Sequence, residues 1–324
     1  MKKIAINYLV HTPHRKIFSK YLLYYLQRIK QSYKESIRFI IHCSYGREYW
    51  ELFADMLSAE GIETIVIEYV TSFNYMNKIR MATNSTLEYS ISLDEDIILS
   101  TYAWEEFIKS ADTCFTDDSV LLATPLMSIE VGSTDLFIET LCGKQDDLER
   151  AYLETDFISI GKKWGVDYSS LNKYTIGSKV WDYESFYKEV ETINHYYKGI
   201  HPVRISEIAQ MKVAELIVNN YDEFCKNRGD SVYQKLSRPY FTNHVYIIKT
   251  EVWRNIINNI SLFKDDYDEV PLNLYRRQHN MSIVYIMNCL GLHASYNTIG
   301  RFAQNRIENF LIGGLNEKIN SSQG

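Results

Sequence analysis

Three consecutive acidic residues, Asp94-Glu95-Asp96, are the part of this sequence whose residue types and spacing could do chemistry. Residues 89–93 before them read as a short strand, and an apolar run follows at 97–99. Carboxylates clustered between apolar segments repel one another and need a partner that offsets their charge. A hard divalent cation is the usual partner, because it takes oxygen ligands and can bridge to a phosphate group. The triplet therefore indicates a site for a metal-bound, phosphorylated ligand.

Alternating strands and helices position this acidic triplet in the first third of the chain. The hydrophobic pattern predicts strands over 3–10, 37–43, 63–70 and 89–93, with helices over 18–34, 48–60 and 75–85 between them. Strands that alternate with helices are typical of βαβ units, which build a mostly parallel sheet with helices on both faces. Ligands bind such sheets beyond the carboxyl ends of the strands. The triplet lies at one of these ends, and residues 8–15 lie at another.

The rest of the chain departs from this alternation and then returns to it. A helix is predicted over 104–110 and a strand over 120–125, and the segment 128–237 reads as a helical insertion. After it, the pattern predicts a strand over 245–249 and helices over 251–259 and 274–290. We therefore expect an α/β fold organised in three parts, with boundaries near residues 127 and 237.

Composition and charge argue against several classes of function. The formal net charge of the 324 residues is −6, so no strong basic excess points to nucleic-acid binding. The five cysteines follow no metal-binding spacing, which suits a reducing compartment. No segment approaches the roughly 20 apolar residues that cross a bilayer, and the first apolar run is too short for a signal peptide. We expect a cytoplasmic protein. The basic residues of the predicted helix 18–34 are also compatible with a peripheral position on the inner face of a membrane.

The segment from Lys78 through Asp94-Glu95-Asp96 resembles the nucleotide-sugar-dependent glycosyltransferases of the GT-A fold, in particular family 2. It is similar to that family's helix with a basic residue, the strand that follows and the DxD motif, within a pattern that covers roughly the first 125 residues. The resemblance implies that Asp96 coordinates Mn²⁺ or Mg²⁺ directly, while Asp94 reaches the ribose or a metal-bound water. Lys78 would help to bind the nucleotide, and Glu95 belongs to the same donor site. Ile79 departs from the family, many members of which have Asn there.

The resemblance also implies roles for residues outside the acidic triplet. Tyr8 and His11, after the first strand, would lie at the nucleobase and ribose, with Tyr8 able to stack on the base. Asp268 or Glu269 would accept the proton of the acceptor hydroxyl, although acids before a helix also serve as caps. His293 would complete the metal shell, since imidazole is acceptable to Mn²⁺. A single histidine is more often a surface or core residue whose hydrogen bonds are satisfied within the protein.

The function implied is a metal-dependent, inverting glycosyltransferase that moves a sugar from a nucleotide-sugar donor to a hydroxyl of a glycan or lipid-linked glycan, as in bacterial surface polysaccharide synthesis. Residues 1–127 would bind the donor, 128–237 would form a lobe on the acceptor side, and 238–324 would complete the GT-A domain. Two alternatives stay open. Phosphatases of the haloacid-dehalogenase class also have a DxD motif, although on the first strand and followed by Thr or Val where this chain has Ile98. The other alternative is a module that binds nucleotide or sugar without catalysis.

Overall fold

The structure is a computed structural model that describes residues 2–11, 16–68, 78, 81–127, 207–219, 221–227, 232–236, 241, 244–258, 269–293 and 301–321. The chain divides into two compact units. The first unit consists of Met1–Pro125 and Asp222–His293, and the second consists of Leu126–Tyr221 and Ala294–Gly324. Residues 294–324 thus group with the middle of the chain rather than with the sheet. The donor and acceptor roles of the three expected parts stay predictions.

A single sheet is the centre of the first unit. Its strands are β1 (Ile4–Val10), β2 (Ile37–Cys43), β3 (Glu63–Glu68), β4 (Tyr89–Asp94), β5 (Ile97–Leu99), β6 (Val120–Met127), β7 (Tyr233–Leu236), β8 (Val245–Lys249) and β9 (Ser282–His293). Their order in the described sheet is β3-β2-β1-β4-β8-β6-β9-β5, and β7 pairs with β9 beside this path. All seven residues of β1 are buried, as the apolar sequence of a central strand requires.

Strand direction changes in the middle of this sheet. From β3 through β2 and β1 to β4 the strands run parallel. Beyond β4, the described pairings with β8 and β9 are antiparallel. The register aligns Leu9 with both His42 and Asp94, so the carboxyl ends of β1, β2 and β4 lie side by side. The predicted α/β class with a central sheet flanked by helices is confirmed, and the sheet is mixed.

Helices cover this sheet. In the first unit they are α1 (Lys16–Leu26), α2 (Gln31–Ser36), α3 (Arg47–Ala59) and α4 (Thr101–Cys114). Lys78 and residues 81–84 are also helical, within the predicted helix 75–85. The single helix predicted over 18–34 is interrupted, because α1 ends at Leu26 and α2 begins at Gln31. At α4, Ser100 caps the helix by accepting a hydrogen bond from the backbone N–H of Ala103 at 3.1 Å.

The helix predicted over 274–290 is wrong beyond residue 278. The chain beyond α7 (Thr250–Asn258) forms α8 (Glu269–Gln278) and then the twelve-residue strand β9. Between them Asn280 has φ of 50°, in the left-handed region that Asn tolerates better than most residues. An apolar run buried on both faces has no alternation, so its periodicity does not distinguish a central strand from a buried helix.

The segment predicted as a helical insertion lies largely outside the described residues. Its described part begins with the helices α5 (Glu207–Asn219) and α6 (Tyr221–Lys226). Residues 233–236, placed in the insertion by the sequence, form β7 and belong to the sheet. In the second unit, α5 packs against α9 (Arg301–Ser321). Gly314 allows their close approach, because a Cβ there would overlap the γ-methyl groups of Val218. Searching the described helices for one long and apolar enough to span a membrane finds none.

Candidate functional site

The acidic triplet forms the turn between β4 and β5. Asp94 is the last residue of β4, and Ile97 is the first of β5, so Glu95 and Asp96 alone form the link between the two strands. Both turn residues are only 2% exposed, whereas the side chain of Asp94 is 25% exposed. Each of the three carboxylates contacts a different residue of the first unit, namely Lys78 for Asp94, His11 for Glu95 and His293 for Asp96.

Asp96 contacts the predicted metal ligand His293. Its Oδ1 lies 3.1 Å from Nε2 of His293, and both side chains are buried. The pairing of β5 with β9 explains this contact, since it aligns Ile97 with His293, the last residue of β9. Two residues almost two hundred positions apart thus meet at one edge of the sheet. A carboxylate oxygen and an imidazole nitrogen at this distance can ligate one cation.

Asp94 contacts the predicted nucleotide-binding residue Lys78. The ammonium of Lys78 donates to Oδ1 of Asp94 at 3.0 Å and to Oγ of Ser92 at 2.7 Å. Lys78 is 3% exposed, so its charge is held close to the sheet by these acceptors. A buried ammonium is stable only when charge and hydrogen bonds compensate its lost hydration. Lys78 and Asp94 therefore form an ion pair at the carboxyl end of β4.

Glu95 contacts the first strand and the residue that follows it. Its Oε2 accepts a hydrogen bond from the backbone N–H of His11 at 3.1 Å, and its Oε1 lies 3.8 Å from Nδ1 of His11. The hydroxyl of Tyr8 donates to the backbone carbonyl of Glu95 at 3.3 Å. The carboxylate thus fixes the start of the loop after β1. It does so from a buried position, through contacts within the chain.

The ring of Tyr8 lies in the core. Its centroid is 5.7 Å from that of Phe39 and 6.0 Å from that of Trp50. Burial, and then the charge of Glu95, raise the pKa of Tyr8 well above its ordinary value, so the hydroxyl remains a donor at all physiological pH values. The stacking on a nucleobase suggested by the sequence would require the ring to leave this packing. His11, in contrast, is 39% exposed at its side chain.

A buried polar chain that the sequence reasoning missed lies in the strands next to the triplet. Nε2 of His42 lies 3.0 Å from Oδ1 of Asn7, and the amide of Asn7 donates to Oγ of Ser85 at 2.8 Å. All three residues are fully buried. Burial, and then the charge of Lys78, lower the pKa of His42 to about 3, so its imidazole stays neutral. The available signal was a polar residue, Asn7 in β1 and His42 in β2, among the apolar residues of each strand.

A second histidine, His244, also lies at the turn. Its backbone carbonyl accepts a hydrogen bond from the backbone N–H of Asp94 at 3.2 Å. Its ring centroid is 4.2 Å from that of His293, with 37° between the planes. Local sequence gives no partner for His244, because its place depends on the pairing of β8 with β4.

The predicted catalytic carboxylates are not placed by this geometry. Asp268 lies outside the described residues. Glu269 begins α8, but its side chain is outside the described part of the chain. Their role as the base stays a prediction.

The residues at the turn fit a cation whose shell is completed by a ligand. Within the described ranges, no three His, Cys, Asp or Glu side chains are grouped so that they could hold a metal ion by themselves. Asp96 and His293 nevertheless supply one oxygen and one nitrogen at the same edge. Mg²⁺ sites in phosphate-binding proteins commonly use one or two carboxylates and take the other ligands from water and substrate phosphates. A nitrogen donor in the set favours Mn²⁺ over Mg²⁺.

Comparison with known proteins finds similarity among solved structures only. No protein-family description and no curated protein matches the chain.

The glycosyltransferase GlyE of Streptococcus pneumoniae TIGR4 is similar over 99% of this chain and 64% of its own, with 9% identity and a TM-score of 0.43. The mannosyltransferase PcManGT of Pyrobaculum calidifontis, solved with GDP-Man and Mn²⁺, is similar over 90% and 56%, with 8% identity and a TM-score of 0.45. The galactosyltransferase LgtC, solved with donor and acceptor sugar analogs, is similar over 95% of both chains, with 9% identity and a TM-score of 0.41. The chain spans less than two thirds of the first two proteins. Similarities of this size assign no activity to it.

Proposed function

We propose that this chain is a metal-dependent glycosyltransferase, which transfers a sugar from a nucleotide-sugar donor to an acceptor hydroxyl. The observation that carries the proposal is the contact between buried Asp96 and His293, next to the ion pair of Asp94 and Lys78. A carboxylate–imidazole pair and an ammonium–carboxylate pair, joined through the consecutive residues 94–96 at the end of β4, suit a cation together with a diphosphate.

Each of these residues would have a separate part in donor binding. Asp96 and His293 would hold the cation, and Asp94 would support it through water or the ribose. When bound, Mn²⁺ or Mg²⁺ offsets the negative charge that develops on the departing nucleoside diphosphate. Lys78 adds a positive charge beside Asp94 at the carboxyl end of β4, and its hydrogen bond to Ser92 keeps the ammonium in place. The donor diphosphate would therefore meet positive charge that is already oriented.

The first strand would shape the nucleotide side of the site. Glu95 ties the backbone of His11 to the acidic turn, so the loop after β1 begins at a fixed position. Tyr8 supports the same turn from the core through its hydroxyl. In this proposal His11 borders the nucleotide, and Tyr8 acts by positioning the turn.

The acceptor would be a glycan or lipid-linked glycan whose hydroxyl loses a proton during transfer. We propose Asp268 or Glu269 as the base, which gives inversion at the sugar carbon in a single displacement. Glu269 is the first residue of α8, and this helix belongs to the first unit, which also contains the acidic turn.

The experiment that tests the proposal replaces Asp96 by Asn. This change keeps the shape of the side chain and removes its charge. A thermal-shift screen of nucleotide-sugars with and without Mn²⁺ first identifies the donor, since a ligand that binds the native state raises its stability. We then expect Asp96→Asn to lower the rate of donor turnover by about a hundredfold or more.

Asp112→Asn is the matched control, because Asp112 is an exposed acid whose carboxylate contacts Lys3. It should leave turnover unchanged. The proposal would be overturned if Asp96→Asn turned over the donor at the wild-type rate. Donor binding without turnover in the wild type, for any acceptor tested, would instead support the binding module without catalysis.

A further inference from the structure

His244 contacts both Asp94 of the acidic turn and His293 at the end of β9. Its backbone is held by the N–H of Asp94, at the end of β4. Its imidazole ring lies against that of His293, with 4.2 Å between the centroids. The backbone contact between His244 and Asp94 is supported by strand pairing, because β8 begins at Val245 and pairs with β4. The ring of His244 is therefore presented to His293 by rigid backbone.

The orientation of the His293 ring decides whether its Nε2 points at Asp96. His293 ends β9, so only one side of its backbone continues into the strand. A side chain at a strand end can change rotamer unless neighbouring atoms prevent it. A ring packed against it at van der Waals distance restricts that rotation and favours one orientation. Residues that orient a metal ligand in this way affect metal affinity without touching the metal.

We propose that His244 is a positioning residue, which holds the His293 imidazole with its Nε2 directed at Asp96. The inference rests on the proposed function insofar as His293 binds a cation. It also implies that His244 influences which divalent cation binds. Mn²⁺, which accepts nitrogen ligands, depends on this orientation, whereas Mg²⁺ prefers oxygen and depends on it less.

The first test uses the protein without metal, so its result does not depend on the proposed function. The ring proton resonances of His293 are assigned by their loss in His293→Gln. They are then compared in the wild type, His244→Ala and His244→Phe. The loss of the neighbouring ring current shifts these resonances in any case, so the linewidth and the number of signals decide the test. We expect His244→Ala to broaden or split them, because the ring gains alternative rotamers, whereas His244→Phe keeps a flat ring and should keep a single sharp set. A single set in His244→Ala as sharp as that of the wild type would overturn the inference.

The second test measures metal affinity, by the paramagnetic resonance signal of free Mn²⁺ and by competition with Mg²⁺. An aromatic contact of ordinary strength predicts that His244→Ala binds Mn²⁺ about threefold to tenfold more weakly. The loss of Mg²⁺ affinity should be smaller, and His244→Phe should restore most of the Mn²⁺ affinity.

The matched control for both tests is His279→Ala. His279 also lies against an aromatic ring, that of Tyr275, with 4.1 Å between centroids and 34° between planes. Its removal should leave Mn²⁺ affinity unchanged. If the wild type binds no Mn²⁺, the metal-dependent function is wrong, and the resonances of His293 still decide the role of His244. If His244→Phe fails to restore Mn²⁺ affinity lost in His244→Ala, a contact specific to the imidazole replaces the positioning role.

Discussion

The buried imidazole of His42 makes the stability of the first unit depend on pH. Its pKa is lowered to about 3, first by burial and then by the charge of Lys78. In the unfolded chain the ordinary value of about 6.5 applies. Below pH 6.5 the unfolded state therefore binds a proton that the folded state refuses, and stability falls as the pH falls toward 3. Above pH 6.5 both states are neutral, and the effect vanishes.

The size of this effect follows from the two pKa values. A pH of 5 lies about 1.5 units below the pKa of the imidazole in the unfolded chain, and each unit corresponds to about 1.4 kcal/mol. Protonation of His42 in the unfolded chain should thus lower the free energy of unfolding by about 2 kcal/mol when the pH falls from 7.5 to 5. Other groups also titrate in this interval. The comparison must therefore be made between the wild type and a variant that lacks the imidazole.

His42→Gln is the suitable variant, because the Gln amide can still donate to Oδ1 of Asn7. Urea unfolding of both proteins at pH 7.5 and pH 5, followed by fluorescence of the buried Trp50 and Trp104 among others, gives the four free energies needed. We expect the wild type to lose about 2 kcal/mol more than the variant. Equal losses, within about 0.5 kcal/mol, would refute the neutral buried state of His42.

Three further predictions concern other parts of the chain. Gly314→Ala should destabilise the second unit by about 1–3 kcal/mol through overpacking. The neighbouring Gly313→Ala, with open space around the added Cβ, should stabilise the unit by about 0.5–1 kcal/mol. Urea unfolding followed by circular dichroism measures both, and equal effects of the two variants would contradict the packing argument. Lys78→Met should weaken binding of a nucleoside diphosphate by about tenfold in calorimetry, and unchanged affinity would exclude a role for its charge. One of Asp268→Asn and Glu269→Gln should lower turnover by about 10²–10⁴-fold while donor binding is retained, and full activity of both variants would exclude the proposed base.

Local patterns suffice for the strands whose environment is simple. The sequence predicts β2 and β8 at the bounds that the structure has, because apolar, β-branched runs with polar flanks define them. The same reasoning failed for β9, where twelve residues buried on both faces carry no alternation. The turn at Asn280 was the missed signal, since Asn before an apolar run favours a left-handed residue.

The acidic triplet shows where prediction from sequence stops. Residue types and position identified Asp94 and Asp96, and the family resemblance pointed to Lys78 and His293. The contact of Asp96 with His293 depends on the pairing of β5 with β9, which no local pattern specifies. The place of Glu95 likewise depends on β1 lying beside β4. His244 and His42 were missed because their partners lie in other strands, His293 in β9 and Asn7 in β1, and side-chain contacts between strands leave no local pattern.

The mixed direction of the sheet has a consequence for the order in which the chain folds during synthesis. The strands β1 to β4 are made first, and their parallel pairings need only residues that have already been synthesised. Asp94 can therefore meet Lys78 early, whereas Asp96 must wait for β9 before it meets His293. Until β8 and β9 have been made, β4 lacks its antiparallel neighbour and Asp96 lacks its imidazole partner. Ribosome-bound intermediates of this protein should consequently need protection at the unpaired edge of β4.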